Sequence, residues 1–250
     1  MYDDEYRSES RGSQHVLARV EDGDSTIAAF FEGRDCVEAS DFGRETVQFY
    51  PLGDGEGVLR HYHRGGLIGR VARDGYLGNR MRREFEVHLS YYREGGSVPE
   101  LLGVSWRRMG LLFRGAIATR RISAETLLSF LEHQEPEEVR AMLKCAGEAA
   151  RHMHDHGVWH ADLQLKNILV SDGAVWLIDF DNARRVDELG TMARARNLLR
   201  LRRSFEKHGR PLDNFHTFLE GYGSIQIPRW LDWLYRLRGW HGRHKNSAMI

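Results

Sequence analysis

The sequence predicts a two-lobed α+β fold, with a small antiparallel β-rich N-terminal lobe and a mostly helical C-terminal lobe. Three observations support this prediction. Short β-type runs separated by turns dominate the first half of the chain, helical periodicity dominates the second half, and one apolar β-hairpin interrupts the helices. With 250 residues, of which 41% are hydrophobic, the chain is long enough for one large domain or two small lobes.

The composition excludes several classes of protein. A disordered chain, a collagen-like chain and a disulfide-stapled miniature are all incompatible with this content of apolar and aromatic residues. Cys36 and Cys145 are far apart and lack the spacing of a structural zinc site. No apolar run reaches the roughly 18 residues of a membrane-spanning helix. Because the N-terminus is acidic and polar, it does not resemble a secretory signal, and we expect a cytoplasmic protein.

The N-terminal lobe is expected over residues 26–117, after a flexible polar leader at residues 1–25. Its clearest local signal is a hairpin, in which a Gly-rich turn joins two β-type runs that end at Tyr50 and Tyr62. A helix is expected over residues 80–93, where apolar side chains recur at three- and four-residue spacing. Extended segments are expected at 98–102 and 110–114, and a linker between the lobes at 116–122.

The C-terminal lobe is expected over residues 118–250. Helices are predicted at 123–131, 137–156, 198–205 and 230–237, and two short apolar strands at 167–170 and 175–178 form a hairpin. His152, His154 and His156 lie in the long helix two residues apart. They therefore do not share a helix face, and we expect structural or surface histidines rather than metal ligands.

The most informative motif surrounds this second hairpin. Asp162 and Asn167 lie on the loop before its first strand, and Asp179 follows its second strand. An asparagine oxygen and a carboxylate are hard ligands that suit Mg²⁺, which binds one or two protein groups together with phosphate oxygens and water. A carboxylate that is not bound to the metal can accept a proton from an attacking hydroxyl. These groups are the minimum needed for phosphoryl transfer.

The motif resembles the protein-kinase-like superfamily, whose catalytic loop reads HxDxxxxN and whose metal loop reads DFG. Here the loops read His160-Ala161-Asp162-Leu163-Gln164-Leu165-Lys166-Asn167 and Asp179-Phe180-Asp181. The resemblance implies that the protein uses ATP and Mg²⁺. It also implies that Asp162 is the catalytic base, that Asn167 and Asp179 are Mg²⁺ ligands, and that His160 supports the metal loop structurally.

A nucleotide kinase also needs a cation on the third strand of its small lobe, held by a carboxylate on a helix. Arg60 lies where kinases place lysine, and Glu84 is its expected partner, with Glu86 as the competing acid. The alternatives are an exposed edge-strand arginine and a helix-surface glutamate. Gly43, which precedes the first strand of the hairpin, is the glycine expected to approach the phosphates of the nucleotide.

Two departures separate the chain from kinases that phosphorylate proteins. Asp181 replaces the glycine of DFG, and no long activation loop follows it. Gln164 replaces the lysine that protein kinases carry two residues after the catalytic aspartate. Both differences favour a kinase of small molecules or sugars.

Three further segments are similar to the 3-deoxy-D-manno-octulosonic acid (Kdo) kinases: residues 58–67, 178–185 and 197–204. The similarity extends from about Gly43 to Phe205. It implies transfer of the ATP γ-phosphate to the 4-hydroxyl of Kdo attached to lipid A precursors, in lipopolysaccharide biosynthesis. The alternatives are a heptose kinase of the lipopolysaccharide core, an aminoglycoside-type phosphotransferase and, from another class, a catalytically inactive kinase-like binding protein.

The charge distribution is consistent with a lipid-linked sugar acceptor. The net charge is zero, yet basic residues outnumber acidic ones from residue 184 to residue 210. Because the acceptor carries a carboxylate and phosphates, Arg184, Arg200 and Arg203 are candidates to bind it, a solvated helix face being the alternative.

The C-terminal segment at residues 229–240 interleaves Trp with Arg. This pattern is typical of a helix on a membrane surface, here the cytoplasmic face of the inner membrane, and also of a helix packed in the core. The basic residues lack an RNA-binding signature, so no nucleic-acid partner is expected.

Overall fold

The structure, a computed structural model, describes residues 4–33, 36–39, 47–62, 76–77, 79–110 and 112–228, together with Trp230, Leu231, Trp233 and Tyr235. Packing divides the chain into two compact units. The first comprises Met1–Arg93 and Pro99–Ile122, and the second comprises Glu94–Val98 and Ser123–Ile250. Antiparallel strands dominate the first unit and helices dominate the second, so the predicted α+β class is confirmed.

An eight-stranded antiparallel sheet forms the centre of the first unit. Its strands are β1 (Tyr6–Arg11), β2 (Gln14–Arg19), β3 (Val37–Ala39), β4 (Val47–Leu52), β5 (Gly55–His61), β6 (Tyr76–Leu77), β7 (Leu101–Met109) and β8 (Leu112–Arg120). Their order across the sheet is β1-β2-β7-β8-β5-β4-β3, and β6 pairs with β8 outside this path. The predicted hairpin is β4–β5, with Leu52 paired to Gly55 beside a two-residue turn. It places Arg60 in the interior of the sheet, between β4 and β8.

Among the described residues of the first unit, helices α1 (Gly23–Glu32) and α2 (Arg80–Arg93) cover the sheet, and α2 has the predicted bounds. Neighbouring residues of β8 belong to different buried clusters. Ile117 packs in the cluster that contains side chains of α2, and Ala118 packs in the cluster that contains Ala29 of α1. Because successive side chains of a strand point to opposite faces, the two helices bury opposite faces of the sheet.

The N-terminal residues differ from the flexible leader expected at residues 1–25. Strands β1 and β2 extend the sheet beyond β7, and the hydroxyl of Tyr6 donates a hydrogen bond to the carbonyl oxygen of Leu101 at 2.6 Å. Val16 is fully buried. The sequence does not signal these strands, because exposed polar residues surround the few apolar ones and their partners on α1 and β7 lie elsewhere in the sequence.

The expected linker between the lobes also differs from the structure. Residues 116–122 lie mostly in β8, and the boundary expected between residues 117 and 118 falls inside this strand. Apart from Glu94–Val98, which already belong to the second unit, the chain leaves the first unit between Ile122 and Ser123. The small apolar residues of this run form a strand because β5 and β7 pair with it from both sides, which no local pattern reveals.

In the described part of the second unit, the long elements are four α-helices, accompanied by short strands. The helices are α3 (Leu127–His133), α4 (Pro136–Asp155), α5 (Thr191–Lys207) and α6 (Leu212–Tyr222). The strands are β9 (Glu125–Thr126), β10 (Val158–Trp159), β11 (Ile168–Ser171), β12 (Ala174–Leu177) and β13 (Arg184–Arg185). Strands β12, β11 and β9 form one sheet in that order, and β10 pairs with β13. The predicted long helix is α4, and the predicted apolar hairpin is β11–β12. Among the described residues, no helix is both long and apolar enough to cross a membrane.

Two glycines allow helices α4 and α6 to touch. A β-carbon at Gly147 would lie 2.1 Å from the carbonyl oxygen of Phe218, and one at Gly221 would lie 2.0 Å from that of Lys144. Any larger residue would therefore separate the helices. Glycine inside a helix costs about 1 kcal/mol relative to alanine, and the close packing here offsets that cost.

A buried histidine of α2 makes the first unit sensitive to acid. The ring Nε2 of His88 donates a hydrogen bond to the carbonyl oxygen of Pro99 at 2.7 Å. Burial, helped by the charge of the nearby Arg60 and opposed by the hydrogen bond to Pro99, lowers the pKa of His88 from 6.5 to about 4. On acidification, the His88 ring takes up a proton at a higher pH in the unfolded chain than in the folded protein. The stability that His88 contributes is therefore complete above about pH 6.5 and is lost as the pH falls towards 4.

We expect His88→Gln to reduce the acid sensitivity of folding, because glutamine can donate the same hydrogen bond and does not titrate. The wild type should lose up to roughly 3 kcal/mol more than the variant between pH 7 and pH 4. Thermal and urea unfolding at several pH values measures this difference. Equal acid sensitivity of the two proteins would contradict the assignment to His88.

Candidate active site

The β11–β12 hairpin positions the candidate catalytic residues. Ile168 and Leu177 are paired and fully buried, which fixes the register of the two strands. Next to this pair, the backbone N–H of Ile178 donates to the carbonyl oxygen of Asn167 at 3.0 Å. Asn167, before β11, and Asp179, after β12, therefore flank the same end of the hairpin.

His160 connects the loop before β11 to the residue that precedes Asp179. The backbone N–H of Asp162 donates to the Nδ1 of His160 at 3.1 Å, so the ring hydrogen lies on Nε2, which donates to the carbonyl oxygen of Ile178 at 3.0 Å. The ring also packs edge-on against Phe180, with a centroid distance of 5.1 Å. Burial lowers the pKa of His160, which favours this neutral tautomer.

Asp162 is oriented by two side chains and remains accessible. Its Oδ1 accepts a hydrogen bond from the Nη1 of Arg200 at 3.0 Å, and its Oδ2 accepts one from the Nε2 of Gln164 at 2.8 Å. The side chain of Asp162 is still 45% exposed. A carboxylate has about four lone-pair sites, so it can accept a further hydrogen bond from a hydroxyl group.

Asn167 and Asp179 are the two candidate metal ligands. The Nδ2 of Asn167 donates to the backbone oxygen of Asp162 at 2.9 Å, so the planar amide directs its Oδ1 away from that oxygen. The Oδ1 atom of Asp179 is buried, and the residue has a φ of 64°. This left-handed conformation is uncommon for residues other than glycine, and such strain is concentrated at functional sites.

The donor set fits Mg²⁺ better than a transition metal. Within the described part of the chain, no group of three or more His, Cys, Asp or Glu side chains could hold a metal ion. Asn167 and Asp179 offer hard oxygens, and Mg²⁺ in nucleotide sites takes few protein ligands, because phosphate and water complete its octahedron. The residues present are therefore compatible with a magnesium–nucleotide complex.

In the first unit, Arg60 and Glu84 form a buried ion pair. The Nη2 of Arg60 lies 2.5 Å from the Oε1 of Glu84, and the side chains are 17% and 2% exposed. The hydroxyl of Tyr62 donates to the other carboxylate oxygen of Glu84. The guanidinium of Arg60 also lies over the ring of Tyr62, 5.1 Å from its centroid. The competing acid, Glu86, instead pairs with Arg82 one turn away on α2.

The arginines expected to bind the acceptor occupy different environments. Arg184 lies exposed in β13, and Arg203 lies exposed on α5, whereas Arg200 contacts Asp162. Several neighbouring arginines of the basic region form ion pairs inside the second unit: Arg185 with Glu94, Arg194 with Asp155 and Arg202 with Glu206. The exposed cations of α5 recur at three- and four-residue spacing, at Arg196, Arg200, Arg203 and Lys207. We name these four residues the basic stripe.

Two of the expected features lie wholly or mostly outside the described residues. Gly43 is one of them. Most of the segment at 229–240 is the other, although a few of its residues are described. Leu231 is buried in a cluster with Ala195 and Leu199 of α5. Trp230 and Trp233 are 53% and 59% exposed.

Sequence reasoning did not identify Tyr62 or Asn197, nor the contact that Arg200 makes with Asp162. Tyr62 could have been found, because residues two apart on a strand share a face and Tyr62 follows Arg60 by two. Asn197 left a weaker signal, as a polar residue inside the apolar stripe of α5. The contact of Arg200 with Asp162 left none, since 38 residues separate them in the sequence.

Comparisons with known proteins agree with this geometry. The model of the lipopolysaccharide kinase (Kdo/WaaP) family matches residues 32–222. A curated 3-deoxy-D-manno-octulosonic acid kinase of Vibrio parahaemolyticus is 35% identical over 197 residues, which covers 75% of this chain and 81% of the relative. The kinase of the same name from Photobacterium profundum is 37% identical over 188 residues, covering 72% and 78% of the two chains.

Solved structures support the fold alone, because their sequence identities are low. WaaP in complex with acyl carrier protein is similar with a TM-score of 0.58 at 16% identity, covering 90% of this chain and 92% of the other. Spectinomycin phosphotransferase in complex with ADP and spectinomycin gives a TM-score of 0.52 at 10% identity, covering 80% and 77%. The kinase-like fold expected from the catalytic motif is confirmed.

We expect Tyr62→Phe to destabilise the protein, because it leaves an oxygen of the buried Glu84 without its donor. The cost should be about 1–3 kcal/mol, the usual penalty for an unsatisfied buried polar group. Tyr92→Phe is the matched control, since Tyr92 lies on α2 and is 36% exposed. Thermal unfolding measures both variants, and equal melting temperatures would contradict the role of the Tyr62 hydroxyl.

Proposed function

The chain belongs to the lipopolysaccharide kinase (Kdo/WaaP) family, and we propose that it transfers the γ-phosphate of ATP to the 4-hydroxyl of Kdo on a lipid A precursor. The kinases that it matches at 35% and 37% identity carry this substrate in their names. The single observation in the site that supports the proposal most is the accessible carboxylate of Asp162, oriented by Arg200 and Gln164.

In this proposal, Asp162 is the catalytic base. It accepts the proton of the Kdo hydroxyl as that oxygen bonds to phosphorus and the bond between phosphorus and ADP breaks. Its two hydrogen bonds hold the carboxylate in one orientation, and its exposure lets the hydroxyl approach. His160 supports the loop: its ring bonds to the backbone of both Asp162 and Ile178.

Asn167 and Asp179 are the residues that would hold Mg²⁺. When bound, the ion neutralises charge on the phosphate oxygens of the nucleotide. The hydrogen bond from the Asn167 side chain to the backbone of Asp162 links this ligand to the base. The left-handed backbone of Asp179 is consistent with a position selected for ligand geometry rather than for stability.

Arg60 is proposed to bind phosphate oxygens of ATP in the first unit. A guanidinium presents several donors in a plane and stays charged at any physiological pH. The buried carboxylate of Glu84 and the ring of Tyr62 fix its position. We include Gly43 in the nucleotide site from the sequence resemblance alone.

The acceptor is proposed to bind through arginines of the second unit. Arg200 and Arg203 belong to the basic stripe, and Arg200 touches the proposed base. Arg184, exposed in β13, is the third candidate. Guanidinium groups bind carboxylates and phosphates bidentately, and a Kdo-bearing lipid A precursor carries both.

We also propose that the protein contacts the cytoplasmic face of the inner membrane, where a lipid-linked acceptor would lie. The exposed side chains of Trp230 and Trp233, together with the basic stripe, support this proposal. Exposed tryptophans and arginines are the residues that interfacial helices use.

The test is incubation of the protein with ATP, Mg²⁺ and a lipid A precursor that carries Kdo, followed by mass spectrometry. One added phosphate on the Kdo residue supports the proposal. Phosphate transfer only to a heptose-bearing acceptor or an aminoglycoside would assign one of the alternative kinases. ATP binding without transfer to any acceptor would indicate an inactive binding protein.

We expect Asp162→Asn to lower kcat by about 10²–10⁴-fold, because the variant cannot accept the proton of the hydroxyl. The affinity for ATP should change less than threefold. Steady-state kinetics and ATP binding by calorimetry measure the two effects, with circular dichroism to verify folding. A variant that keeps more than a tenth of the wild-type kcat would contradict the role of Asp162 as base.

We expect Arg203→Glu to raise the KM for the Kdo acceptor about tenfold, equivalent to about 1.4 kcal/mol, while the KM for ATP stays constant. The matched control is Arg107→Glu, which makes the same charge change at an exposed site of β7 in the first unit. Initial rates at varied acceptor concentration measure the effect. Equal acceptor KM values for the two variants would indicate that Arg203 lies on a solvated face.

A further inference from the structure

A side chain of α5 holds the backbone at the start of the catalytic loop. Asn197 is fully buried. Its Oδ1 accepts a hydrogen bond from the backbone N–H of His160 at 3.1 Å, and its Nδ2 donates to the carbonyl oxygen of His160 at 2.7 Å. The amide therefore binds both polar groups of one residue. Because a flipped amide would set donor against donor and acceptor against acceptor, this pairing also fixes its orientation.

The same amide ends a chain of buried hydrogen bonds that begins on α6. The Nε2 of His154 lies 3.1 Å from the Oδ1 of Asn197, which only accepts, so Nε2 carries the hydrogen of the ring. The Nδ1 of His154 is then an acceptor, and the hydroxyl of Tyr222, 2.8 Å away, donates to it. Every hydrogen in the chain from Tyr222 through His154 and Asn197 to His160 is thus assigned.

We propose that Asn197 is a positioning residue for phosphoryl transfer, and that His154 and Tyr222 keep it in place. The inference rests on the proposed function, because the base that is positioned is Asp162, two residues after His160. Asn197 fixes the backbone of His160, and the ring of His160 binds the N–H of Asp162 and the carbonyl oxygen of Ile178. One buried amide therefore determines the placement of the loops that carry Asp162 and Asp179.

The surroundings of His154 favour the neutral ring that this chain requires. Burial lowers the pKa of His154 to about 4. The charge of Arg194 on α5 and, to a smaller extent, the ring of His160 contribute to this lowering, whereas the hydrogen bond with Asn197 and the charge of Asp155 on α4 oppose it. Tyr222, from α6, is buried, and burial raises its pKa, so it remains a hydrogen-bond donor. The ring is thus neutral at physiological pH with its single hydrogen towards Asn197.

The test compares two variants of the chain with a control in the same unit. Asn197→Asp keeps the acceptor for His160 and His154 but places a second oxygen against the carbonyl oxygen of His160. Tyr222→Phe removes only the hydroxyl that fixes the ring of His154. The control, Leu143→Ala, removes a buried side chain of α4 that takes no part in the hydrogen-bond chain.

We expect Asn197→Asp to lower kcat about 100-fold with less than a threefold change in the KM for ATP, since small misplacements of a catalytic group cost about this factor. Tyr222→Phe should lower kcat several-fold. Leu143→Ala should lower the melting temperature but keep kcat when assayed well below it. If kcat falls only in proportion to the loss of melting temperature in all three variants, the role is structural and the proposal fails.

A second readout does not depend on the acceptor. In ¹⁵N NMR spectra, the wild-type ring of His154 should remain the neutral Nε2–H tautomer down to about pH 5, given a pKa of about 4. Asn197→Asp should raise the pH at which this ring protonates, because a carboxylate then faces it. An unchanged titration would overturn the assigned hydrogen bonds. If instead the wild type fails to phosphorylate the Kdo acceptor while the NMR result holds, the proposed function fails and the hydrogen-bond assignment stands.

Discussion

The catalytic loop depends on side chains to satisfy its backbone. Between β10 and β11 the chain forms no strand, and beyond a short 3-10 helix at Leu165–Asn167 several of its buried and half-buried backbone groups bond to side chains. The ring of His160 accepts the N–H of Asp162, the amide of Asn197 binds both backbone groups of His160, and the hydroxyl of Ser204 accepts the N–H of Leu165. Each such group left unpaired would cost about 1–3 kcal/mol. The position of α5, which supplies Asn197 and Ser204, therefore determines the shape of the loop.

The features that could be predicted from the sequence are those encoded locally. Two apolar runs joined by a short turn predict the β11–β12 hairpin. They also predict that Asn167 and Asp179 lie at the same end of it. The sequence alone did not decide which acid pairs with Arg60, because α2 carries both Glu84 and Glu86. Burial decides between them: Glu84 lies on the buried face of the helix, whereas Glu86 remains half-exposed beside Arg82. The strands β1 and β2 could not be predicted, since their apolar residues acquire partners only in the assembled sheet.

The number of basic residues in a segment predicts its anion-binding surface less well than the spacing of those residues along the helix. The basic region after residue 184 suggests a broad anion-binding surface, but several of its arginines are engaged by Glu94, Asp155 and Glu206 inside the second unit. The cations that remain exposed on α5 share one face of the helix. Ion pairs with acidic residues determine which arginines remain free to bind a ligand. Some of these acidic residues are distant in the sequence, so the pattern within the basic region does not reveal them. The same limitation concealed the contact between Arg200 and Asp162.

The arginine on β5 has a chemical consequence. A lysine at this position offers an amine that acylating and sulfonylating reagents can modify, and burial beside another cation makes such amines more nucleophilic. The guanidinium of Arg60 remains protonated and offers no such nucleophile. Residues 1–122 contain no lysine at all. Covalent inhibitors designed around the lysine of other kinases therefore have no target in this unit, and selective compounds would need to exploit the planar, doubly hydrogen-bonding cation instead.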